Sequence, residues 1–279
     1  MKNSENLDLD TVLSFGDEWH RHNQSALGAE EHQDVFKQYF AIFPWDRIGK
    51  KSEGFDMGCG SGRWAKLVAP KIGKLHCIDA AEAALAVAKK NLAGIANVDF
   101  EWSSVDRSQL LPASQDFGYS LGVLHHIPDT QAALNSCVLL LKPGAPMLVY
   151  LYYSFDNRPS WFRVIWKLSN LLRLAIIKLS PSMKSIATDL IAALVYWPLA
   201  RLSFVVEKLG ANSKNFPLYA YRDKSFYTMR TDSRDRFGTP LEQRFSRAEI
   251  SVMMERAGLE NIRFSNAIPY WCAVGDKKK

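Results

Sequence analysis

The stretch Gly54-Phe55-Asp56-Met57-Gly58-Cys59-Gly60-Ser61-Gly62 decides the fold of this chain. A short apolar run delivers an acid, three alternate glycines follow, and from Arg63 the pattern turns helical. Strand, glycine-rich turn and helix is the opening unit of a nucleotide-binding α/β domain. Glycine is needed where the backbone approaches a ligand closely or takes positive φ. Seventeen residues after Gly62, a second strand-like run, Leu75–Ile78, ends at Asp79. An acid at the second strand tip can accept hydrogen bonds from both hydroxyls of a ribose.

The same alternation continues downstream. Ala81–Leu92 is an alanine-rich helix with Gly94 as its stop. Val98–Trp102 and Phe117–Val123 read as strands, Thr130–Leu141 as a helix closed by Lys142-Pro143-Gly144, and Met147–Tyr152 as a strand. This order predicts a Rossmann-like, doubly wound, mostly parallel sheet with helices on both faces. Upstream, Glu30–Phe43 carries Val35, Phe36, Tyr39, Phe40 and Phe43 at helical spacing. From Pro159 to about Lys208 the pattern is helical and unusually apolar; Pro181 breaks it, and a second apolar helix is expected from about Ser185. Ser246-Arg247-Ala248-Glu249 is a capping box that opens a helix to Ala257, with Gly258 as its stop. Leu259–Phe264 and Tyr270–Val274 read as a final strand pair. The expected organisation is an N-terminal helical lid (1–50), the Rossmann-like core (51–154), a mainly helical insertion or cap after the fifth strand (155–240), and a C-terminal helix and strand pair completing the core (241–279).

Of 279 residues, 47% are hydrophobic and 23% charged, which excludes a disordered chain. Four cysteines with no CxxC pair argue against a zinc site or disulfide framework and for a reduced, cytoplasmic setting. The start, MKNSENLDLD, lacks the apolar core of a signal peptide, so secretion is not expected. The longest uncharged apolar run, Leu190–Ala200, contains Pro198 and is too short to span a bilayer. The net charge is +6, but Arg158–Arg230 holds twelve Lys/Arg and three Asp/Glu, a net of +9, leaving about −3 for the rest. A basic, apolar segment on a mildly acidic body points to an anionic substrate or a membrane surface, or is a solvated helical face.

The glycine spacing separates cofactors. A dinucleotide fingerprint is G-x-G-x-x-G, whereas here an acid precedes the first glycine in Asp56-x-Gly-x-Gly-x-Gly. A carboxylate at that position repels a pyrophosphate and suits a ligand bearing an ammonium group. The sequence resembles the class I S-adenosylmethionine-dependent methyltransferases, whose first motif is this turn. The resemblance implies that Asp56, Gly58, Cys59, Gly60 and Gly62 cradle the methionine portion of S-adenosylmethionine, and that Asp79 with Ala80 holds the ribose. Ser104, Val105 and Asp106, after the third strand, stand where that family contacts the adenine. Leu121-Gly122-Val123-Leu124-His125-His126-Ile127-Pro128 resembles the family's fourth motif, and Leu141-Lys142-Pro143-Gly144 the turn before its fifth strand. The resemblance covers residues 50–153 well, 246–275 loosely and the insertion not at all. The most similar subgroup includes ubiquinone and menaquinone methyltransferases, which implies a small-molecule acceptor; the apolar insertion alone adds the expectation that it is lipid-like or a surface-glycan precursor.

Methyl transfer from a sulfonium demands positioning and water exclusion, with a base only where the acceptor must lose a proton. His126 and His125 are the candidate bases. Trp19, in an N-terminal segment placed to act as a lid, and Tyr153 and Arg158, past the fifth strand, are candidate acceptor contacts, as are Tyr221 and Arg222 in the insertion. No convergent carboxylates suggest a metal. The basic pI of about 9.0 raises a nucleic-acid methyltransferase as a rival. The fourth motif, however, lacks both the Asn/Asp-Pro-Pro-aromatic signature and a Pro-Cys nucleophile. A non-catalytic S-adenosylmethionine-binding protein, another reaction of the same cofactor, peripheral membrane contact through the insertion and the oligomeric state all stay open.

Overall fold

The computed structural model describes residues 6–24, 26–210 and 213–279; the first five residues of the polar N-terminus lie outside them. The chain divides into two compact units, one of residues 1–24, 33–154 and 241–279 and the other of residues 25–32 and 155–240.

The first unit is built on a seven-stranded sheet of order β3-β2-β1-β4-β5-β7-β6. The strands are β1 (Glu53–Met57), β2 (Lys74–Asp79), β3 (Val98–Trp102), β4 (Phe117–Leu121), β5 (Pro146–Tyr150), β6 (Leu259–Phe264) and β7 (Cys272–Lys277). β1 to β5 are parallel, while β7 runs antiparallel between β5 and β6. Continuous apolar runs form these strands because helices cover both faces. Successive residues of β5 show it: Met147 and Val149 join one buried cluster with Phe55, Met57 and Leu134, while Leu148 joins the other with Phe40, Leu75 and Tyr119. β1 pairs with β2 on one side and β4 on the other. Strand order therefore reverses there, and a crevice opens at the carboxyl ends of the two strands.

Helices α1 (Leu9–Arg21), α2 (Ala29–Tyr39), α3 (Ala65–Val68), α4 (Glu82–Asn91), α5 (Thr130–Leu140) and α10 (Arg247–Arg256) accompany this sheet. α1 is capped by Asp8, whose carboxylate accepts from the Thr11 amide, and α5 by Asp129 in the same way. The capping box at Ser246 and Glu249 is present, and Gly258 ends its helix with φ +89°. The helix expected from Arg63 is short, Ala65–Val68, and Pro70 sits in a following 3₁₀ turn, Ala69–Lys71.

The second unit holds α6 (Ser160–Ile176), α7 (Pro181–Ile191), α8 (Trp197–Lys208) and α9 (Phe226–Gly238). α7 begins at Pro181 and not near Ser185, because proline is well placed in the first turn, where its missing N–H is no loss. Nor does Pro198 break the chain. A π turn at Ala192–Tyr196 lies before it and opens the backbone against which its ring would clash. Pro181–Lys208 is thus one helical stretch of 28 residues containing an 18-residue window of mean hydropathy 1.5, long and apolar enough to cross a membrane by length and composition. That corrects the expectation drawn from Leu190–Ala200. Ile176, Tyr196, Ala200, Met229 and Phe237 form the unit's small core. Buried Arg173 donates to the carbonyls of Thr239 (2.7 Å) and Pro240 (3.0 Å).

Candidate functional site

The turn after β1 is the centre of the first unit's crevice. Gly58 (φ +79°), Gly60 (φ +54°) and Gly62 (φ +76°) all take left-handed backbone, which costs an L side chain roughly 1–2 kcal/mol each. Space matters as much as φ: a Cβ on Gly58 would lie 2.4 Å from both Val123 methyls. A Cβ on Gly60 would meet the Trp19 indole at 3.0 Å. The amides of Gly58 and Cys59 donate to the Ile78 carbonyl (2.8 and 3.0 Å), which ties the turn to the end of β2.

Asp79, at the tip of β2, is held by two amides. One oxygen accepts from Gly60 (2.8 Å), the other from Ala81 (2.8 Å). Burial raises its pKa, with these two amides pulling against it. Each oxygen keeps a lone pair, as a pair of ribose hydroxyls requires. The Ser103 amide donates to the Asp79 carbonyl (3.1 Å), and the Trp102 indole to the carbonyl of Ala80 (2.9 Å), so the end of β3 adjoins the same tip. There the Ser104 hydroxyl donates to Asp106 (2.8 Å), which also accepts from the Asn6 amide. Partial desolvation of Asp106 is outweighed by these bonds, which hold its carboxyl below the usual range. Val105 opens a 3₁₀ turn, Val105–Arg107, beside them.

Asp56 is the unusual group. It is 1% exposed, and neither carboxyl oxygen makes a well-formed hydrogen bond. Burial pushes its pKa up to about 8; the adjoining Tyr119 hydroxyl and Arg63 lower it, and Asp79 raises it further. A buried carboxyl without settled partners, beneath a glycine turn that admits close approach, fits a ligand carrying an ammonium group. The residues present therefore fit S-adenosylmethionine, with an ammonium toward Asp56 and a ribose toward Asp79.

β4 ends at Leu121, Gly122 follows at φ +81°, and a 3₁₀ turn, Leu124–His126, carries the histidine pair. His125 is fully buried and His126 is 4% exposed. Their rings lie 4.0 Å apart, and His125 stacks on Tyr152 at 3.9 Å. Burial, then His126 and Arg244, hold the His125 imidazole well below its ordinary pKa, so it is neutral. His126 Nδ1 lies 2.6 Å from the Leu241 carbonyl. A carbonyl only accepts, so Nδ1 carries a proton, and in the neutral ring Nε2 then carries the lone pair.

α1 reaches both parts of this crevice. Trp19 stands over the Gly60 turn, with the Arg63 guanidinium 5.6 Å from its ring, and Phe15, one turn earlier, meets His126 edge-on at 4.9 Å. Tyr153 packs on Tyr270 (5.6 Å) and bridges to Phe245, so Tyr152 is the tyrosine against the histidines. In the second unit, Arg158 donates to the Lys214 carbonyl and to Asn215, Tyr221 packs on Tyr196 (5.3 Å), and Arg222 pairs with Glu207. Sequence reasoning chose Tyr153 over Tyr152 and missed Leu241 and Arg244, whose guanidinium lies 5.0 Å from the Tyr152 ring. Leu241 and Arg244 are more than a hundred residues from the histidines, and no local pattern marks them.

Sheet order, switch-point crevice, glycine turn and the two acids define a Rossmann-like S-adenosylmethionine-binding domain. Residues 55–144 match the family described as methyltransferase domain. The ubiquinone biosynthesis O-methyltransferase of Idiomarina loihiensis is 32% identical over 118 residues, 41% of this chain and 46% of that protein. That of Azotobacter vinelandii is 33% identical over 112 residues, 39% and 46% of the two chains. The chain thus spans about half the length of the curated relatives it matches. Among solved structures, the methyltransferase in complex with the Haloferax volcanii Trm112 activator superposes with TM-score 0.57 at 14% identity, over 96% of this chain and 98% of that one, a likeness of fold. Over residues 55–144 the chain is thus similar to class I S-adenosylmethionine-dependent methyltransferase domains.

Proposed function

We propose that this protein transfers a methyl group from S-adenosylmethionine to a hydroxyl of a lipid-like small molecule. The observation that carries the reading is the pair of acids around the glycine turn, Asp56 buried without settled partners and Asp79 held by two amides. Relatives named as O-methyltransferases of ubiquinone biosynthesis support the acceptor class, and the apolar insertion supports a lipid-like body and peripheral membrane contact. Four buried free cysteines suit a cytoplasmic setting.

When bound, S-adenosylmethionine supplies an electrophilic methyl on a sulfonium, open to in-line displacement by an oxygen nucleophile. The chain's part is to bind, align and hold a proton. Asp56 anchors the ammonium end, Asp79 the ribose, and the Ser104–Asp106 turn borders the adenine. Phe15 and Trp19 of α1 exclude water above the turn and the histidines. His126, oriented by the Leu241 carbonyl through Nδ1, takes the acceptor hydroxyl's proton on Nε2. Neutral His125, stacked on Tyr152, keeps that ring in place and adds no competing charge.

Isothermal titration with S-adenosylmethionine, S-adenosylhomocysteine and NAD tests the cofactor part. Saturable binding of both adenosyl ligands and not NAD is expected; binding of NAD alone overturns the reading. A screen of alkyl- and prenyl-substituted phenols for release of S-adenosylhomocysteine then tests the acceptor class.

A further inference from the structure

The insertion leaves its apolar surface uncovered. Of the 24 large apolar side chains exposed among the described residues, 17 lie between Trp161 and Leu209. On α6, Val164, Leu168 and Leu171 are 56 to 65% exposed; on Pro181–Lys208, Ile186, Leu190 and Leu194 are 53 to 72% exposed. Scattered surface leucines need no explanation, but a run of this density marks a surface that meets something apolar.

One side of these helices is already taken. Asp189 is held by Arg230 through two bonds (2.9 and 2.7 Å), and Ser233 donates to the Thr188 carbonyl (2.9 Å). Arg201 donates to the carbonyls of Arg222 (2.7 Å) and Lys224 (2.9 Å). A helix bound along its length to polar protein groups on one side and apolar on the other is amphipathic, with the geometry of an element lying in a membrane interface, not of a free span. Length and hydropathy alone do not make this distinction, since only 22% of its apolar window is buried.

Charge selects the partner. From Ser160 to Leu209 there are seven Lys/Arg and two Asp/Glu, and both acids are matched within the unit, Asp189 by Arg230 and Glu207 by Arg222. Arg163, Lys167, Lys178 and Lys208 remain as exposed cations beside the apolar side chains. Trp161 and Trp197, 45 and 48% exposed, are of the type that settles at headgroup depth. A second copy fits poorly, because a two-fold contact would set the same cations against each other. We infer that residues 160–209 dock on an anionic phospholipid bilayer, with their apolar side chains in the headgroup–acyl boundary and the cations against lipid phosphates.

The test is flotation of the full chain with phosphatidylcholine vesicles, with and without phosphatidylglycerol, at low and high salt. Salt-sensitive flotation with the anionic vesicles is expected. Leu168→Glu with Leu190→Glu should abolish it. Arg163→Ser with Lys167→Ser should lower the partition coefficient roughly 25-fold, at roughly fivefold for each cation near the surface. The charge variant touches only exposed side chains, so it keeps the test valid where the glutamate variant fails to fold. Titration of S-adenosylmethionine into the same variants should be unchanged, which separates this inference from the cofactor assignment. Folded protein that stays unbound on anionic vesicles at low salt overturns it, as does flotation indifferent to salt and to both variants. Self-association that Leu168→Glu removes, without flotation, assigns the face to a second copy and overturns it equally.

Discussion

Asp56→Asn should stabilise the ligand-free protein at neutral pH while removing the anchor for the cofactor. Burial raises the Asp56 pKa from 3.8 to about 8. Between those values the unfolded chain holds the group ionised and the folded chain holds it protonated. Folding therefore takes up a proton, and stability falls as pH rises through that window. Each unit of pH is worth about 1.4 kcal/mol. Between pH 5 and pH 7 the native protein should thus lose about 2.7 kcal/mol that the asparagine variant, neutral throughout, retains. Near 2.1 cal/mol/K for each residue, this opens a gap of roughly 4–5 °C in melting temperature over the two pH units. At pH 7 the accumulated penalty is about 4 kcal/mol, and the cost of burying the amide, about 1–3 kcal/mol, offsets part of it. The variant should still melt higher there. Calorimetry on ligand-free protein, wild type and variant, at pH 5, 6 and 7 measures the gap. A difference independent of pH would refute the argument, because it would mean that the carboxyl is ionised in the fold throughout. The cofactor gives the converse: an ammonium ligand selects the ionised form, so native affinity should rise toward pH 8 by up to about tenfold per unit, and the variant's should not.

Asp79→Ala should weaken S-adenosylmethionine binding by about 1.5–3 kcal/mol, the worth of hydrogen bonds to a charged group; unchanged affinity by titration would remove the ribose assignment. His126→Ala should lower the methyl-transfer rate about 10²–10⁴-fold with cofactor affinity unchanged. Loss of the low-pH limb of kcat in stopped assays from pH 5 to 9 would identify it as the base, and an intact limb would not. Gly58→Ala should lower stability by about 1–3 kcal/mol in denaturant melts, since its Cβ meets the Val123 methyls at 2.4 Å; Val123→Ala in the same chain should recover the packing part and leave the φ part.

Much of the core was legible because its signals are local. The acid and glycines at 56–62, the second acid at Asp79, the strand pair at the C-terminus and the capping box at Ser246 each depend on residues adjacent in sequence. Pro181 and Pro198 were misleading for the opposite reason. A proline reads as a break, yet one lies in a first turn and the other follows a π turn that relieves its clash. The sheet's two clusters could be anticipated from period-2 alternation, but their partners across strands could not.

By itself the sequence determined the fold class and the cofactor chemistry, because positive φ, close approach and an acid at a strand tip can each be met by few residue types. Only the tertiary structure decided the rest. It brought Leu241 to His126 across 115 residues, left Asp56 buried without settled partners, and turned outward the apolar helices that composition alone would have buried. These depend on which groups share a volume, and burial sets both the Asp56 pKa and the worth of an uncovered leucine.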